Sequence, residues 1–319
     1  MQPRYDNIDL VSVIIPLFNA EEYILETLTS VFKQDYRPIE VIIVDDGSND
    51  NSVSIIKKFI TDFSSSDFKV TLIKNTKKGA PSARNYGLLI SKGNLIQFLD
   101  SDDILLPDKI KTQVEKIKDS NFDIVYSKAQ HIDNKGNLLP YFWGRELQGN
   151  SSDYFEFPWQ TMCALYKKDI IYRIGLWNEN LNMNQDWEFA LKFVINKCNI
   201  SFLDKVQAYY RTGLDNNIGK NISSNKIDSK FESTRNIYNL NKQYDNMDSY
   251  LKKKFFKRFI FIAVEYGKIS EWNKIKIIKQ FIKTEGLVIF PINFLLYIKN
   301  SFIFKLITNL YNIKNKNRY

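Results

Sequence analysis

Four short apolar runs alternate with three stretches of helical spacing within the first hundred residues. The runs are Val11–Pro16 (VSVIIP), Ile39–Val44 (IEVIIV), Lys69–Ile73 and Asn94–Leu99 (NLIQFL). Between them lie Glu21–Lys33, Ser52–Phe63 and Ser82–Ser91; the first carries Ile24, Leu25, Leu28, Val31 and Phe32, a spacing that puts apolar side chains on one helix face. Near-continuous apolar strands joined by helices predict an α/β fold with a mostly parallel central sheet covered on both faces. Ligands of such sheets bind beyond the carboxyl ends of the strands. Two acidic clusters, Asp45–Asp46 and Asp100–Asp103, fall at such ends.

Composition removes several alternatives. With 319 residues and 44% hydrophobic content, the chain can bury one large core or two smaller ones without disulfide staples. The two cysteines, Cys163 and Cys198, fit a reducing compartment and form no zinc-ligand pattern. A single histidine, His131, argues against His-based triads and His-rich metal sites, and its strand-plus-turn setting predicts a structural role. No apolar run reaches the ~20 residues of a spanning helix. Met1–Leu10 contains Asp6 and Asp9 and no apolar core, unlike a signal peptide.

Downstream, Phe122–Asp133 predicts a strand, Asn134–Gly136 a turn, Tyr141–Pro158 a long loop, and Asp186–Asn196 a helix with Trp187, Ala190, Leu191 and Val194 inward. The polar stretch Asn216–Ser229 marks a boundary, giving a first domain over 1–215 and a helical, basic region over 216–319. In the latter, Ser270 is the expected N-cap and Gly286 the expected stop of a helix striped by Trp272, Ile275, Ile278 and Ile282. Leu251–Tyr319 holds 15 Lys and Arg against 3 Asp and Glu, a net of +12, while the rest of the chain nets −3. Leu287–Ile298 is apolar but, as a helix, only ~18 Å long against a hydrocarbon core of ~30 Å. Phe302, Ile303, Leu306, Ile307, Leu310 and Tyr311 then line one helical face. This basic, amphipathic tail fits contact with an anionic membrane surface, with core packing or dimerisation as the alternatives.

Five segments, in order, resemble the inverting family 2 glycosyltransferases of the GT-A (Rossmann-like, nucleotide-binding) fold: VSVIIPLFNAEEYILETLTSVFKQ from Val11, VIIVDDGSNDNS from Val41, GAPSARNYGL from Gly79, FLDSDDILLP from Phe98, and GLWNENLNMNQDWEFALKF from Gly175. The resemblance covers about 10–211. It implies an enzyme (a hexosyl- or N-acetylhexosaminyltransferase) that moves a sugar from a nucleotide donor to a hydroxyl of a glycan or lipid-linked glycan, in bacterial surface polysaccharide synthesis. Processive relatives carry a Q-x-x-R-W motif and spanning helices; neither is present, so the expected enzyme is non-processive and peripheral at the cytoplasmic face of the inner membrane.

Three carboxylates within the four residues Asp100–Asp103 repel one another unless a cation or donor hydrogen bonds compensate, and hard oxygen ligands beside a diphosphate suit Mg²⁺ or Mn²⁺. By resemblance this is the DXD-type motif: Asp103 is the metal ligand and Asp102 binds the ribose or the metal, with some slack among Asp100, Asp102 and Asp103. Asp46 corresponds to the carboxylate that accepts the N3–H of uracil; cytosine has an acceptor there, so UDP or dTDP donors are expected over CDP. Pro16 and Phe18 would flank the base, Arg84 the nucleotide or its phosphates, and Arg211 the diphosphate. Asp186 corresponds to the general base, which takes the proton of the acceptor hydroxyl as the C1–O bond forms. Trp143, Trp159 and Trp177 are candidates for stacking on acceptor sugar or for the core. The chain departs from the family pattern at Lys77 (often Asn), at Gln185 (often Glu) and at Thr212–Asp215, where many relatives have a His.

Each acidic cluster can also be read as a turn or helix cap. Competing functions are a nucleotide-sugar-binding protein without catalysis, a sugar nucleotidyltransferase, and a nucleic-acid binder prompted by the net charge of +9. The last leaves the acidic strand ends unexplained, so no nucleic-acid partner is expected.

Overall fold

The computed structural model describes residues 9–213 and 223–287. The chain divides into two compact units, Met1–Asn217 and Ile218–Tyr319.

In the first unit β1 (Val11–Leu17), β2 (Ile39–Asp45), β3 (Phe68–Lys74) and β4 (Leu95–Phe98) form a parallel set in the order β3-β2-β1-β4. Val13, Ile14, Ile15, Val41 and Ile43 are fully buried, because helices cover both faces: α1 (Ile24–Phe32), α2 (Ser52–Phe63) and α3 (Ala80–Ile90). These elements match the sequence expectations to within a few residues at each end. Helix α3 lies very close to the sheet; a Cβ at Gly87 would sit 2.5 Å from Ile14 Cγ2.

Beyond β4 the sheet becomes mixed. The short β5 (Ile104–Leu105) and α4 (Lys109–Ser120) lead into β6 (Ile124–Ile132), β7 (Leu138–Trp143), β8 (Ala164–Lys167), α5 (Lys168–Ile174), α6 (Gln185–Ile195) and β9 (Ile200–Arg211). Among the described residues the sheet has nine strands, in the order β3-β2-β1-β4-β8-β6-β9-β5, with β7 paired to β6. Strand β8 is antiparallel to both β4 and β6, so β6 again runs parallel to β4, and β9 runs parallel to β6. Two reversals restore the original direction. The carboxyl ends of β1, β2, β4, β6 and β9 therefore share one edge, and that edge carries the acidic clusters. The stretch expected as a loop over Tyr141–Pro158 begins instead as β7, because Tyr141, Phe142 and Trp143 pair in a hairpin about the turn after Ile132; a Ser151–Tyr154 3-10 turn follows. Only its length and its Gly and Ser content resembled a loop.

The mixed half has a polar interior. Lys109 is fully buried, and its Nζ donates to Gln97 Oε1 and to Gln113 Oε1 at 2.8 Å. Gln113 Nε2 donates onward to Ser127 Oγ at 3.1 Å and to the Cys163 carbonyl at 3.0 Å. Burial pushes the Lys109 ammonium down to about 7, since the charged form loses its hydration.

The second unit contains α7 (Ser224–Gln243), α8 (Ser249–Lys268) and α9 (Trp272–Thr284). Phe231, Tyr238, Phe255, Phe259 and Phe281 form its aromatic core, with ring centroids 5.0 to 6.2 Å apart. Helix α8 is capped by Asp248, whose Oδ1 accepts from the Leu251 amide at 2.8 Å. Two expectations need correction. Ser224–Ser229 is the start of α7 rather than part of a polar boundary loop. Ser270 adopts a left-handed conformation (φ 61°) and Glu271 takes the cap position of α9. Gly286 does end that helix, at φ 61°, and Ile278 and Ile282 are its buried stripe. Among the described residues no helix is long and apolar enough to cross a membrane. Nearly all of Leu287–Ile298 and the whole amphipathic face over 302–311 lie outside the described residues.

Candidate active site

At the end of β2 the Asp46 carboxylate is engaged within the protein. Its Oδ1 accepts from Asn75 Nδ2 at 2.8 Å and its Oδ2 from the Gly79 amide at 2.9 Å. Asn75 is absent from the sequence reading. It stands two residues before Lys77, the position where the family Asn was expected. Lys77 points to Glu179 instead, at 2.8 Å. Pro16 is half-covered near the end of β1, the last residue, Leu17, is buried, and Phe18 beyond it is 60% exposed.

The acidic turn after β4 is under electrostatic strain. Asp103 is buried; its Oδ1 accepts from the Arg211 amide at 2.9 Å, while Oδ2 has no hydrogen-bond partner. Burial, then the neighbouring Asp102 and Asp100 charges, raise its pKa well above the carboxylate range. Burial and Asp100 likewise push Asp102 up to about 6. Each shift says that the ionised carboxyl lacks compensation in the protein alone.

Arg84, on α3, is buried and reaches Asp100 Oδ1 through Nη2 at 2.5 Å. Its guanidinium lies 4.3 Å over the Trp177 ring. Nε and Nη1 are buried and unpartnered. An Arg with two idle donors beside an acidic turn is arranged for an anion or a water that fills the remaining fork. The side chain of Arg211 is committed elsewhere. Nε donates to the Asp102 carbonyl at 3.0 Å, Nη1 to the Asp133 carbonyl at 3.2 Å, and Nη2 to Glu26 Oε2 at 2.5 Å. It ties the acidic turn to α1 and to the β6–β7 turn.

Asp186 stands in the first turn of α6, following Asn184 in a left-handed conformation (φ 59°). Part of its surface stays open, yet burial raises its pKa, with Asp100 adding to the rise and Arg84 opposing it. The segment before it is fastened to α3 by Asn85: Oδ1 accepts from the Trp177 amide at 3.0 Å, and Nδ2 donates to the Trp177 carbonyl at 2.9 Å and to Glu179 Oε1 at 3.0 Å. Trp177 stacks on Phe189 at 4.0 Å and Trp159 is buried against Tyr126. Both tryptophans are therefore core residues. Trp143 is half-buried.

Tyr210 was not among the site candidates of the sequence. Burial raises its phenol, and Asp103, Asp100, Asp186 and Asp102 all add to the rise. It is thus the group on which all four carboxylates act. The sequence places Tyr210 at the end of a strand; only the register His131↔Tyr210 between β6 and β9 brings it to this edge.

Among the described residues no three His, Cys, Asp or Glu side chains are grouped to hold a metal by themselves. Mg²⁺ and Mn²⁺ rarely need such a cage beside a diphosphate, which completes their coordination. The orphaned Asp103 Oδ2 and the uncompensated Asp102 fit that arrangement.

Residues 12–175 match the family model described as glycosyl transferase family 2. An uncharacterised glycosyltransferase of Haemophilus influenzae is 31% identical over 242 residues, covering 73% of this chain and 88% of that protein. The UDP-Glc:alpha-D-GlcNAc-diphosphoundecaprenol beta-1,3-glucosyltransferase WfgD of Escherichia coli is 37% identical over 126 residues, 39% of this chain and 47% of that enzyme. The chain spans about half the length of some curated relatives, such as the glycosyltransferase GlyG of Streptococcus pneumoniae (46%). Among solved structures, residues 1–349 of S. aureus TarS in complex with UDP-GlcNAc superpose with a TM-score of 0.64 at 24% identity, over 78% of this chain and 72% of that one. With the GT-A-type sheet and the acidic edge in place, the chain belongs to glycosyl transferase family 2.

Proposed function

We propose that this protein is a non-processive, inverting glycosyltransferase that moves a sugar from a UDP- or dTDP-linked donor to a hydroxyl of a glycan or lipid-linked glycan. The observation that carries this reading is the convergence of Asp100, Asp102, Asp103 and Asp186 on one sheet edge around buried Arg84. Their charges act on one another and on Tyr210. Asp46 accepts the base N3–H on the outer lone pairs that Asn75 and Gly79 leave free, with Pro16 and Phe18 beside it. Arg84 turns its idle Nε and Nη1 to the nucleotide phosphates, and Asp100 keeps it in place. Asp102 and Asp103 would hold Mn²⁺ or Mg²⁺, which would supply charge neutralisation for the departing diphosphate.

Asp186 performs the proton step. The acceptor oxygen attacks the donor C1 from the face opposite the diphosphate, the C1–O bond to the diphosphate breaks with its electron pair, and the acceptor proton passes to the Asp186 carboxylate. The raised pKa of Asp186 makes it a better base than a solvated Asp. One displacement inverts the anomeric centre.

The relative WfgD acts on a diphosphoundecaprenol-linked sugar; an acceptor of that class would place this protein at the cytoplasmic face of a membrane. The 15 Lys and Arg of Leu251–Tyr319 and the exposed Lys252, Lys253 and Lys257 of α8 favour peripheral attachment to anionic lipid. Calorimetry with UDP, dTDP, CDP and GDP, each with Mn²⁺, Mg²⁺ or EDTA, tests the donor site. Metal-dependent binding of UDP or dTDP is expected; a folded sample that binds none overturns the reading.

A further inference from the structure

An aromatic strip runs away from the carboxylates on the side opposite Asp46. It begins at Tyr210 on β9, passes His131 on β6, and ends at Trp143 and Tyr141 on β7. His131 is its hub, with centroids 5.2 Å from Tyr210, 5.8 Å from Trp143 in a stacked arrangement, and 6.0 Å from Tyr141. Trp143 and Tyr210 also meet edge-on at 6.3 Å. The strand order makes the direction unambiguous: β2 and β1 carry the base-binding end, β4 the acidic turn, and β6, β9 and β7 lie beyond it.

Core packing accounts for only part of this strip: Trp143 and Tyr210 pack against the main core on one side. Tyr210, His131 and Trp143 are each only half-buried, and Tyr141 is 44% exposed. Strand β7 has no fully buried residue, yet five of its six side chains are Leu, Tyr, Phe or Trp on a solvent-facing edge hairpin. The Trp143 indole N–H has no acceptor in the protein. Backbone geometry fixes the position of Trp143: Gly144 (φ 90°) follows it so closely against β6 that a Cβ would lie 2.7 Å from the Ser127 carbonyl. The chain has therefore been drawn tightly in to hold these rings in line with the reaction centre.

A pyranose ring has the matching chemistry. One face presents axial C–H bonds, which pack on aromatic rings, and its rim presents hydroxyls, which donate to carboxylates. We propose that the strip Tyr210–His131–Trp143–Tyr141 is the acceptor-sugar platform, holding a pyranose face so that one hydroxyl reaches Asp186 while the next sugar lies outward over Tyr141. The donor sugar is bound through its diphosphate on the other side of the acidic turn, so the platform is specific to the acceptor. This assignment rests on the glycosyl-transfer reading of the same site.

The test uses the full chain with UDP and Mn²⁺ and a probe set of methyl pyranosides (α and β anomers of glucose, galactose, N-acetylglucosamine and rhamnose). Saturation-transfer NMR reads UDP and saccharide in one sample. The wild type is expected to saturate the ring C–H protons of at least one pyranoside. Tyr141→Ala and Trp143→Phe should weaken that binding about five- to tenfold while UDP binding stays within about twofold. Tyr141 is exposed enough that its loss leaves the fold intact, and the UDP signal reports the fold in every variant. UDP binding with no pyranoside signal on the wild type overturns the platform alone. Pyranoside binding unchanged in both variants, or lost together with UDP binding, also overturns it. Absence of UDP binding in the folded wild type overturns the underlying glycosyl-transfer reading instead.

Discussion

Asp46 and the Asp102–Asp103 pair sit on the same sheet edge, at the ends of strands separated only by β1, yet the protein treats them in opposite ways. Asp46 is held by two donors from the neighbouring β3–α3 loop, Asn75 and Gly79. Asp103 keeps one buried oxygen without a partner, and burial raises both it and Asp102. The first is a finished hydrogen-bonding receptor; the second is half of a site whose remaining charge must come with the substrate. Under the proposed function the donor base would meet a rigid end, while the diphosphate end would become stable only on loading.

Asp186 shares the uncompensated character of the second region, and its removal should have the largest effect. Asp186→Asn is expected to cut transfer by about 10³-fold or more with UDP affinity within about twofold, measured by UDP release and by calorimetry. Retained transfer would take the base role away from it. Asp103→Asn comes next: metal-dependent UDP affinity should fall about 10²-fold by calorimetry, while binding in EDTA is unchanged.

Asp46→Ala should behave differently from both. It strands two donors, so thermal or denaturant unfolding should show a loss of about 2–3 kcal/mol. UDP affinity should drop about tenfold with or without metal; a metal-selective loss would erase the distinction drawn above.

A smaller effect concerns pH. Folded Asp102 titrates near 6, above its unfolded value of 3.8. Its contribution to stability is fully present below pH 3.8 and is lost as pH rises through 6. Metal-free protein should lose about 3 kcal/mol over this window on account of Asp102, relative to Asp102→Asn measured in parallel, and Mn²⁺ with UDP should reverse the trend. The smallest effect belongs to Lys77→Ala. Its ion pair with Glu179 is 71% exposed on the lysine side, so the stability change should stay within about 0.5 kcal/mol.

The parallel half of the sheet was legible because its buried strands read as near-continuous apolar runs, two of which, β2 and β4, stop at acidic residues. Helix α2 was expected over Ser52–Phe63 and is found there. The mixed half was less legible, since its strands carry polar and aromatic residues. Lys109 reads as a surface lysine until β8, β6 and α4 close around it. Strand β7 reads as loop because pairing, not periodicity, makes it a strand. At the site, Asp46, Arg84, Asp100, Asp102, Asp103 and Asp186 were all named from the sequence as site residues. Asn75, Asn85 and Tyr210 were not, because each acts through a partner remote in sequence. Arg211 was named for a phosphate contact; that its side chain also ties Asp102, Asp133 and Glu26 together was not legible, because all three are remote in sequence.

The contact between Gly87 and Ile14 sets a dimension of the active site by means of a missing methyl group. Arg84 and Asn85 lie within one turn of Gly87 on α3, and Ile14 lies in the centre of β1. Because Ile14 is β-branched and fully buried, it has little room to yield to a Cβ placed 2.5 Å away. A single added carbon at residue 87 would lift the helix like a shim under a bracket. Arg84 would move off Asp100, and Asn85 would drag the Trp177 segment with it, although no group that touches substrate had changed. The machining tolerance of this enzyme is thus set at a residue with no side chain, on the face of the helix turned away from the chemistry.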